Sequence, residues 1–229
     1  MRADLLFNLP KSLERFADFF PADAAPWEWV RNIKAALASV DFSSLDSKKD
    51  LPKNVSVDEN VYIHPSVSLP PFACIKGPAW IGEGTEMRVG CFVRGYVITG
   101  KGCVMGNSCE YKNSLLLDDV QTPHYNYVGD SVLGNGSHLG AGVICANLRL
   151  DKQNVLVYTP EGRLDSGLRK LGALLGDGAE AGCNSVLQPG SVLMKRSIIF
   201  SCMAYSGIAD ANTMYGGRHT LRAFPRIGF

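Results

Sequence analysis

The sequence lacks the long apolar stretches that would place it in a membrane or a secretory pathway. No run approaches the roughly 20 apolar residues that a membrane-spanning helix needs. The first twenty residues carry Asp4, Lys11, Glu14 and Asp18, so they lack the uninterrupted apolar core of a signal peptide. We therefore expect a soluble, cytoplasmic protein without a membrane partner.

An excess of charge of one sign is also lacking. Lys and Arg number 23 against 22 Asp and Glu, so the net charge is +1, and the basic residues form no block. A chain that binds nucleic acid through its phosphates usually carries a clustered positive excess. We therefore expect no nucleic-acid partner.

The sequence also lacks the short residue spacings that are typical of metal ligands. The chain has 7 cysteines and 4 histidines, but no CxxC pair and no two histidines a few residues apart. Zinc sites usually draw their ligands from such short spacings. We therefore predict no metal site and no disulfide framework, and we interpret Cys91, Cys103 and Cys109 as small packing residues.

What the sequence has instead is a residue, nearly always apolar, at every sixth position. From Ile81 the steps reach Met87, Val93, Thr99, Met105, Tyr111 and Leu117. A small residue usually follows each of these by four positions, and glycine often follows by one. A period of six fits neither an α-helix, at about 3.6, nor a simple strand, at 2. It indicates short strands joined by tight corners, three of which make a triangular coil of about 18 residues.

Residues one coil apart should stack at the strand spacing of roughly 4.8 Å, which places Met87 over Met105 and Cys91 over Cys109. A β-sandwich would instead show turn signals every 8–12 residues or so, and that spacing is absent. We predict a mainly β fold, a parallel β-helix over residues 51–205, with an α-helical cap and linker at 1–50 and a tail at 206–229.

The segment before the repeat contains one amphipathic helix. The stretch APWEWVRNIKAALASV puts apolar residues on one helical face: Trp27, Val30, Ile33, Ala36, Leu37 and Val40. Because an open solenoid end is an aggregation-prone edge, we expect this cap to cover the first coil. The alternative, that it binds a partner or a sugar, stays open.

The ladder of apolar residues is interrupted at residues 118–127 and again at 147–170, where a hairpin arm is predicted. Insertions in repeat proteins tend to cluster on a binding face. His124 lies in the first interruption, and an imidazole with a pKa near ~6.5 suits a base that removes an amine proton during acyl transfer. The alternative is that His124 only caps a turn.

Other parts of an acyl-transfer site are also present. Backbone N–H groups of residues 140–142 are candidates for stabilising an oxyanion. A phosphate-bearing cosubstrate such as coenzyme A would need cations, and these are available at Arg149, Lys152, Arg163, Arg169 and Lys170. The alternative is that these cations merely solvate a surface.

Four segments resemble a known family: CEYKNSLLL, HYNYVGDSVLG, LGAGVICAN and LGALLGD. They are similar to the hexapeptide-repeat acyltransferases, in particular the acetyltransferase domain of bifunctional UDP-N-acetylglucosamine pyrophosphorylase/glucosamine-1-phosphate N-acetyltransferases and related sugar-1-phosphate nucleotidylyltransferases. The resemblance, over roughly residues 55–205, implies a left-handed β-helix and a homotrimer. It also implies acetyl-CoA-dependent N-acetylation of an amino sugar, as a sugar phosphate or nucleotide sugar.

The resemblance also implies residue roles. His124 would be the general base. The sugar phosphate would be held by Arg94 and Lys112, with Arg88 as a rival of Arg94, and the sugar would contact Glu110, Tyr127 and Asn147. The coenzyme A groove would be lined by Ala141, Cys183 and Ser201, and Gly142, Lys152, Arg169 and Lys170 complete the expected cosubstrate site.

The sequence departs from the family at several points. His138 stands where the family usually has an asparagine that contacts the substrate, and Cys183 replaces a serine. No Gly-rich loop of the GTRM type occurs, so uridylyl transfer is not predicted. Two alternatives therefore stay open. One is a non-catalytic sugar- or nucleotide-binding assembly module, and the other is an acyltransferase with a different acceptor.

Overall fold

The computed structural model describes residues 1–159 and 162–217. Most of these residues form short strands in three parallel sheets, here called sheets A, B and C. Sheet A contains Val55–Val57, Ala73–Lys76, Cys91–Arg94, Glu110–Lys112, Tyr127–Gly129, Ile144–Cys145, Val186–Leu187 and Ala204–Tyr205. Sheet B contains Val61–Ile63, Ala79–Ile81, Val97–Thr99, Ser114–Leu116, Val132–Leu133, Ala173–Leu175, Ser191–Leu193 and Ile208–Ala209. Sheet C contains Glu86–Met87, Val104–Asn107, Gln121–His124, His138–Leu139, Glu180–Ala181, Ile198–Ile199 and Met214–Tyr215.

The chain visits the sheets in the order A, B, C and then returns to A, so each strand pairs with the strand one coil away. Met87 pairs with Met105, as the eighteen-residue stacking predicted. Their side chains point into the solenoid, where the inward residues of all three sheets form one apolar core. The predicted fold class, a mainly β left-handed parallel β-helix with a short helical segment at its N-terminus, is confirmed.

The predicted eighteen-residue register fails from Val97 to Cys145, where paired residues lie seventeen apart, and again at the last coil, where they lie sixteen apart. Thr99 pairs with Leu116, seventeen residues on, and Leu116 in turn pairs with Leu133. Leu116 therefore points into the core, and Leu117, the predicted core residue, belongs to a second apolar cluster outside the coil. The reason is that the coil is one residue short here, which rotates the following residue out of the core.

The small inward positions behave as predicted. Cys91, Cys103 and Cys109 are almost completely buried. The Cys103 thiol donates to the Leu117 carbonyl oxygen at 3.0 Å, and burial raises the pKa of this thiol to about 12. These cysteines are therefore packing residues and poor nucleophiles.

The N-terminal segment contains α1, Pro26–Ala38, and three 3₁₀ helices, Ala3–Leu5, Lys11–Phe19 and Phe42–Ser44. The predicted apolar face of α1 is buried. The expected position was wrong, however, because the segment lies along the outer face of sheet B rather than over the first coil. It packs on outward residues of that sheet, namely Trp80, Ile98, Leu115, Leu117, Val132, Leu174 and Val192.

The insertion after residue 146 contains an antiparallel hairpin, Leu156–Thr159 with Gly162–Asp165. Its base is buried against the cluster on sheet B through Val155 and Val157. Strands continue past residue 205 as far as Tyr215, and the rest of the expected tail, 218–229, lies outside the described residues. Among the described residues, no helix has the length and apolarity needed to cross a membrane.

Candidate active site on sheet A and the adjoining corner

The outer face of sheet A carries two columns of aligned side chains. Phe92, Glu110 and Tyr127 occupy equivalent positions in successive coils. Two residues further along each strand, Arg94 and Lys112 form a second column. This alignment follows from the near-constant coil length and brings four of the predicted substrate residues onto one surface.

Arg94 and Glu110 form an ion pair across adjacent coils, with 2.6 Å between Arg94 Nη1 and Glu110 Oε1. Glu110 raises the pKa of the Arg94 guanidinium. The rival residue, Arg88, donates from Nε to Glu86 Oε1 at 2.8 Å. Glu86 lies on sheet C, so Arg88 belongs to a different face from Lys112. The geometry therefore favours Arg94 over Arg88 as part of one cluster with Lys112.

Asp130 is a buried carboxylate that the sequence analysis missed. Lys112 Nζ lies 2.8 and 3.1 Å from its two oxygens. Asn113 Nδ2 donates to Asp130 Oδ1 at 2.9 Å, and Asn147 Nδ2 donates to Oδ2 at 2.5 Å. Asp130 thereby fixes the side chains of Lys112 and Asn147. The available signal was its position one coil after Asn113, directly after the residue that pairs with Lys112.

Tyr127 folds back along the surface toward Asn147, which donates to the phenol oxygen at 3.2 Å. Gly129 makes this possible, since a Cβ there would lie 2.6 Å from Tyr127 Oη and 2.7 Å from Asn147 Nδ2. Burial raises the pKa of the Tyr127 phenol, and the nearby Asp130 carboxylate adds to the shift. Tyr127 therefore stays a neutral hydroxyl group at ordinary pH.

His124 lies at the corner between sheets C and A, three residues before Tyr127, and its side chain is exposed. The corner is fixed from below by the buried Asn126. Its Oδ1 accepts from the His124 backbone N–H at 3.3 Å, and its Nδ2 donates to the Gly140 carbonyl oxygen at 2.8 Å. Asn126 therefore holds the backbone of this corner, from which the exposed His124 side chain projects.

The expected oxyanion donors are only partly available. Gly140 donates its N–H to the Ala181 carbonyl oxygen at 2.8 Å, and Gly142 donates to that of His124 at 3.0 Å. These two bonds join neighbouring coils, so the hypothesis that both groups bind an oxyanion is wrong for this chain. The N–H of Ala141 is the remaining candidate in this stretch.

A groove of about 420 Å³ lies on the sheet C side of the same corner. Cys183 and Ser201 line it, beside the apolar side chains of Ile198, Phe200 and Met203. His138 also faces it, with Nδ1 3.7 Å from Glu180 Oε2. His138 is therefore separated from Asn147 and Lys112 by the corner that carries His124.

The structure does not bring every predicted cosubstrate residue to this groove. Ala141 and Gly142 form the corner beside it. Lys152, Arg169 and Lys170 are exposed and belong to the insertion, which leaves the solenoid between sheets A and B. Within one chain these three cations are at a different edge of sheet A from Cys183 and Ser201. No group of three or more His, Cys, Asp or Glu side chains in the described part of the chain could hold a metal ion.

No family model matches the chain. Comparison with curated proteins does find relatives. The bifunctional sugar-1-phosphate nucleotidylyltransferase/acetyltransferase of Sulfurisphaera tokodaii is 36% identical over 166 residues, which are 72% of this chain and 41% of that protein. The bifunctional protein GlmU of Methanococcus maripaludis is 30% identical over 191 residues, 83% of this chain and 46% of that protein. The chain is a homologue of part of these bifunctional proteins.

These matches confirm the resemblance predicted from the sequence. The chain spans less than half the length of both relatives, 41% and 46%. Among solved structures, the polysialic acid O-acetyltransferase OatWY is 12% identical, with a TM-score of 0.30 over 76% of this chain and 92% of that one.

Proposed function

We propose that this chain is an acyltransferase that moves an acetyl group from acetyl-CoA to the amino group of a phosphate-bearing sugar. Its homology to proteins named as acetyltransferases supports acyl transfer to a sugar. The observation that carries the proposal is the position of His124. His124 stands at a corner between two surfaces. On one side is the face of sheet A, which carries fixed cations together with hydroxyl and amide groups. On the other side is the groove, which is lined by small and apolar residues.

The residues divide the reaction between them. Arg94 and Lys112 would hold the phosphate, and Glu110, Tyr127 and Asn147 would contact the sugar. As the amine nitrogen attacks the thioester carbonyl, the His124 imidazole would accept its proton and the coenzyme A thiolate would leave. The groove beside Cys183 and Ser201 would hold the chain of coenzyme A. As the resemblance implies, the proposed assembly is a homotrimer with sites between subunits.

His124→Ala tests this assignment. Removal of a general base typically costs about 10²–10⁴ in rate, and the exposed side chain is not needed for folding. Thiol release from acetyl-CoA would be measured with glucosamine-1-phosphate, other amino sugars and their UDP-linked forms. His64→Ala is the matched control, since His64 lies in an early coil, where its ring Nδ1 is 2.8 Å from Ser66 Oγ.

Near-normal turnover in His124→Ala would remove His124 from the role of base. A second outcome would favour the non-catalytic alternative. A protein that binds sugar phosphates but neither binds acetyl-CoA nor releases thiol with any acceptor would be a sugar-binding assembly module. Thiol release with an acceptor that is not a phosphorylated amino sugar would instead favour the other alternative, an acyltransferase with a different acceptor.

A further inference from the structure

A third cation lies in line with Arg94 and Lys112 on sheet A. Lys76 ends the strand Ala73–Lys76 and pairs in register with Arg94. Arg94 occupies the same place in its own coil as Lys112 does in the next, since Val93 pairs with Tyr111. The three cations therefore form one column on successive strands, with neighbouring strands roughly 4.8 Å apart.

Lys76 differs from the other two cations in its partners. Arg94 is paired with Glu110 at 2.6 Å, and Lys112 is paired with Asp130 at 2.8 Å. The ion pairs in the described part of the chain do not include Lys76. Its exposed ammonium lies 5.8 Å from the centre of the Phe92 ring. Among the described residues, Lys76 thus has no carboxylate at ion-pair distance. Asp58 opens the same column one coil earlier, but its Oδ2 accepts from the Gly77 backbone N–H at 3.1 Å.

The direction of the column matches an extended ligand. The sugar contacts proposed above, Tyr127 and Asn147, lie at one end, followed by Lys112, Arg94 and then Lys76. A ligand laid along sheet A would thus meet hydroxyl and amide groups first and cations afterwards. In the proposed function Arg94 and Lys112 hold one phosphate group, so Lys76 offers a charge for a second phosphate beyond the first.

We propose that the acceptor carries a diphosphate, as nucleotide sugars do, with Arg94 and Lys112 on the phosphate next to the sugar and Lys76 on the outer phosphate. The inference rests on the proposed function for the amino-sugar end of the ligand. The phosphate preference itself is a property of binding. It can therefore be measured without acetyl transfer.

The test is calorimetric binding of UDP-glucosamine and glucosamine-1-phosphate to wild type, Lys76→Gln and Lys101→Gln. Lys101 is the matched control, an exposed lysine at the corner between sheets B and C. Lys76→Gln should weaken UDP-glucosamine binding about five- to tenfold, the effect of one charged phosphate contact, and change glucosamine-1-phosphate binding less than about twofold. Lys101→Gln should change neither.

Equal weakening of both ligands by Lys76→Gln, or no weakening of either, would overturn the inference. So would wild-type protein that binds glucosamine-1-phosphate more tightly than UDP-glucosamine. The thiol-release assay separates the two proposals. If the expected binding pattern is seen without any thiol release, acetyl transfer is rejected and the diphosphate site is kept. If thiol release is greatest with glucosamine-1-phosphate as acceptor, acetyl transfer is kept and the diphosphate site is rejected.

Discussion

The outer faces of sheets A and B share one backbone geometry but have opposite chemistry. Sheet B presents large apolar side chains, such as Trp80, Ile98 and Leu115, and they are buried beneath the N-terminal segment. Sheet A presents Arg94, Glu110 and other polar groups, and its surface is open. Because the coil places outward residues in straight columns, a few substitutions per coil decide whether a face is covered or available to a ligand.

The cover on sheet B is held by both apolar and polar contacts. Phe16 meets Trp80 edge to face, with 5.4 Å between ring centres, and the Arg15 guanidinium lies 4.5 Å from the Trp80 ring centre. At the adjacent corner, Ser12 donates a short hydrogen bond to Asp118, and the Asn8 backbone N–H donates to Asp177 at 3.1 Å. The segment is thus part of the folded domain.

The largest effect should come from breaking this cover. Phe16→Ala removes a completely buried ring and leaves a cavity against Trp80. The expected loss in free energy of unfolding is about 3–5 kcal/mol. Urea unfolding followed by circular dichroism would measure it. Leu5→Ala is the control, since Leu5 is 52% exposed, and its expected change is within about 0.5 kcal/mol. A loss in Phe16→Ala as small as that in Leu5→Ala would show that the segment adds little to stability.

A substitution on sheet A, Gly129→Ala, should lower stability less than the loss of Phe16 but should lower activity strongly. Gly129→Ala would place a Cβ against Tyr127 Oη and Asn147 Nδ2. Both contacts are side-chain atoms, so the side chains should move while the coil persists. We expect acetyl transfer to fall about tenfold or more, because misplacement of a positioning group by about 1 Å can cost up to 10²-fold. The cost in stability should be near 1 kcal/mol.

Tyr127→Phe supplies the matched test of that explanation. Without the hydroxyl group, the alanine Cβ loses its nearest clash, so Gly129→Ala should cost less in the Tyr127→Phe background than in wild type. Strictly additive losses in the double variant would mean that Gly129 acts on the coil backbone and not through Tyr127.

The coil could be predicted from the sequence because the corners and the inward positions of the strands each prefer particular residues. The register then followed from counting residues in steps of six. The prediction failed at Leu117 because Leu115, Leu116 and Leu117 are all leucine, so the apolar pattern continues through a coil that is one residue short. It also misplaced the N-terminal helix. Periodicity identified the apolar face of α1, but not the surface that it would meet. The outward apolar residues of sheet B, Trp80 among them, were the missing signal.

The candidate site was predicted in part for the same reason. Stacking at nearly constant intervals brings Glu110 and Tyr127 together, and the resemblance supplied their roles. Asp130 was missed, although it directly follows Gly129, the residue that pairs with Lys112 one coil away. The engagement of the Gly140 N–H could not be read from composition, because it depends on which carbonyl of the next coil faces it.

The smallest expected effect is on the pH dependence of stability, and it concerns the last strand of sheet A. Burial raises the pKa of Tyr205 to about 12, and the neighbouring Tyr215 and Asp210 add to the shift. The unfolded chain would lose this phenol proton near pH 10, before the folded chain does, so stability must fall as pH rises from about 10 to 12. Tyr205→Phe should lose less stability over that interval than wild type, as measured by the urea midpoint at pH 8 and pH 11. Identical losses would mean that Tyr205 ionises alike in both states. Because the ring is only partly buried, the difference should be modest and smaller than either change on sheets A and B.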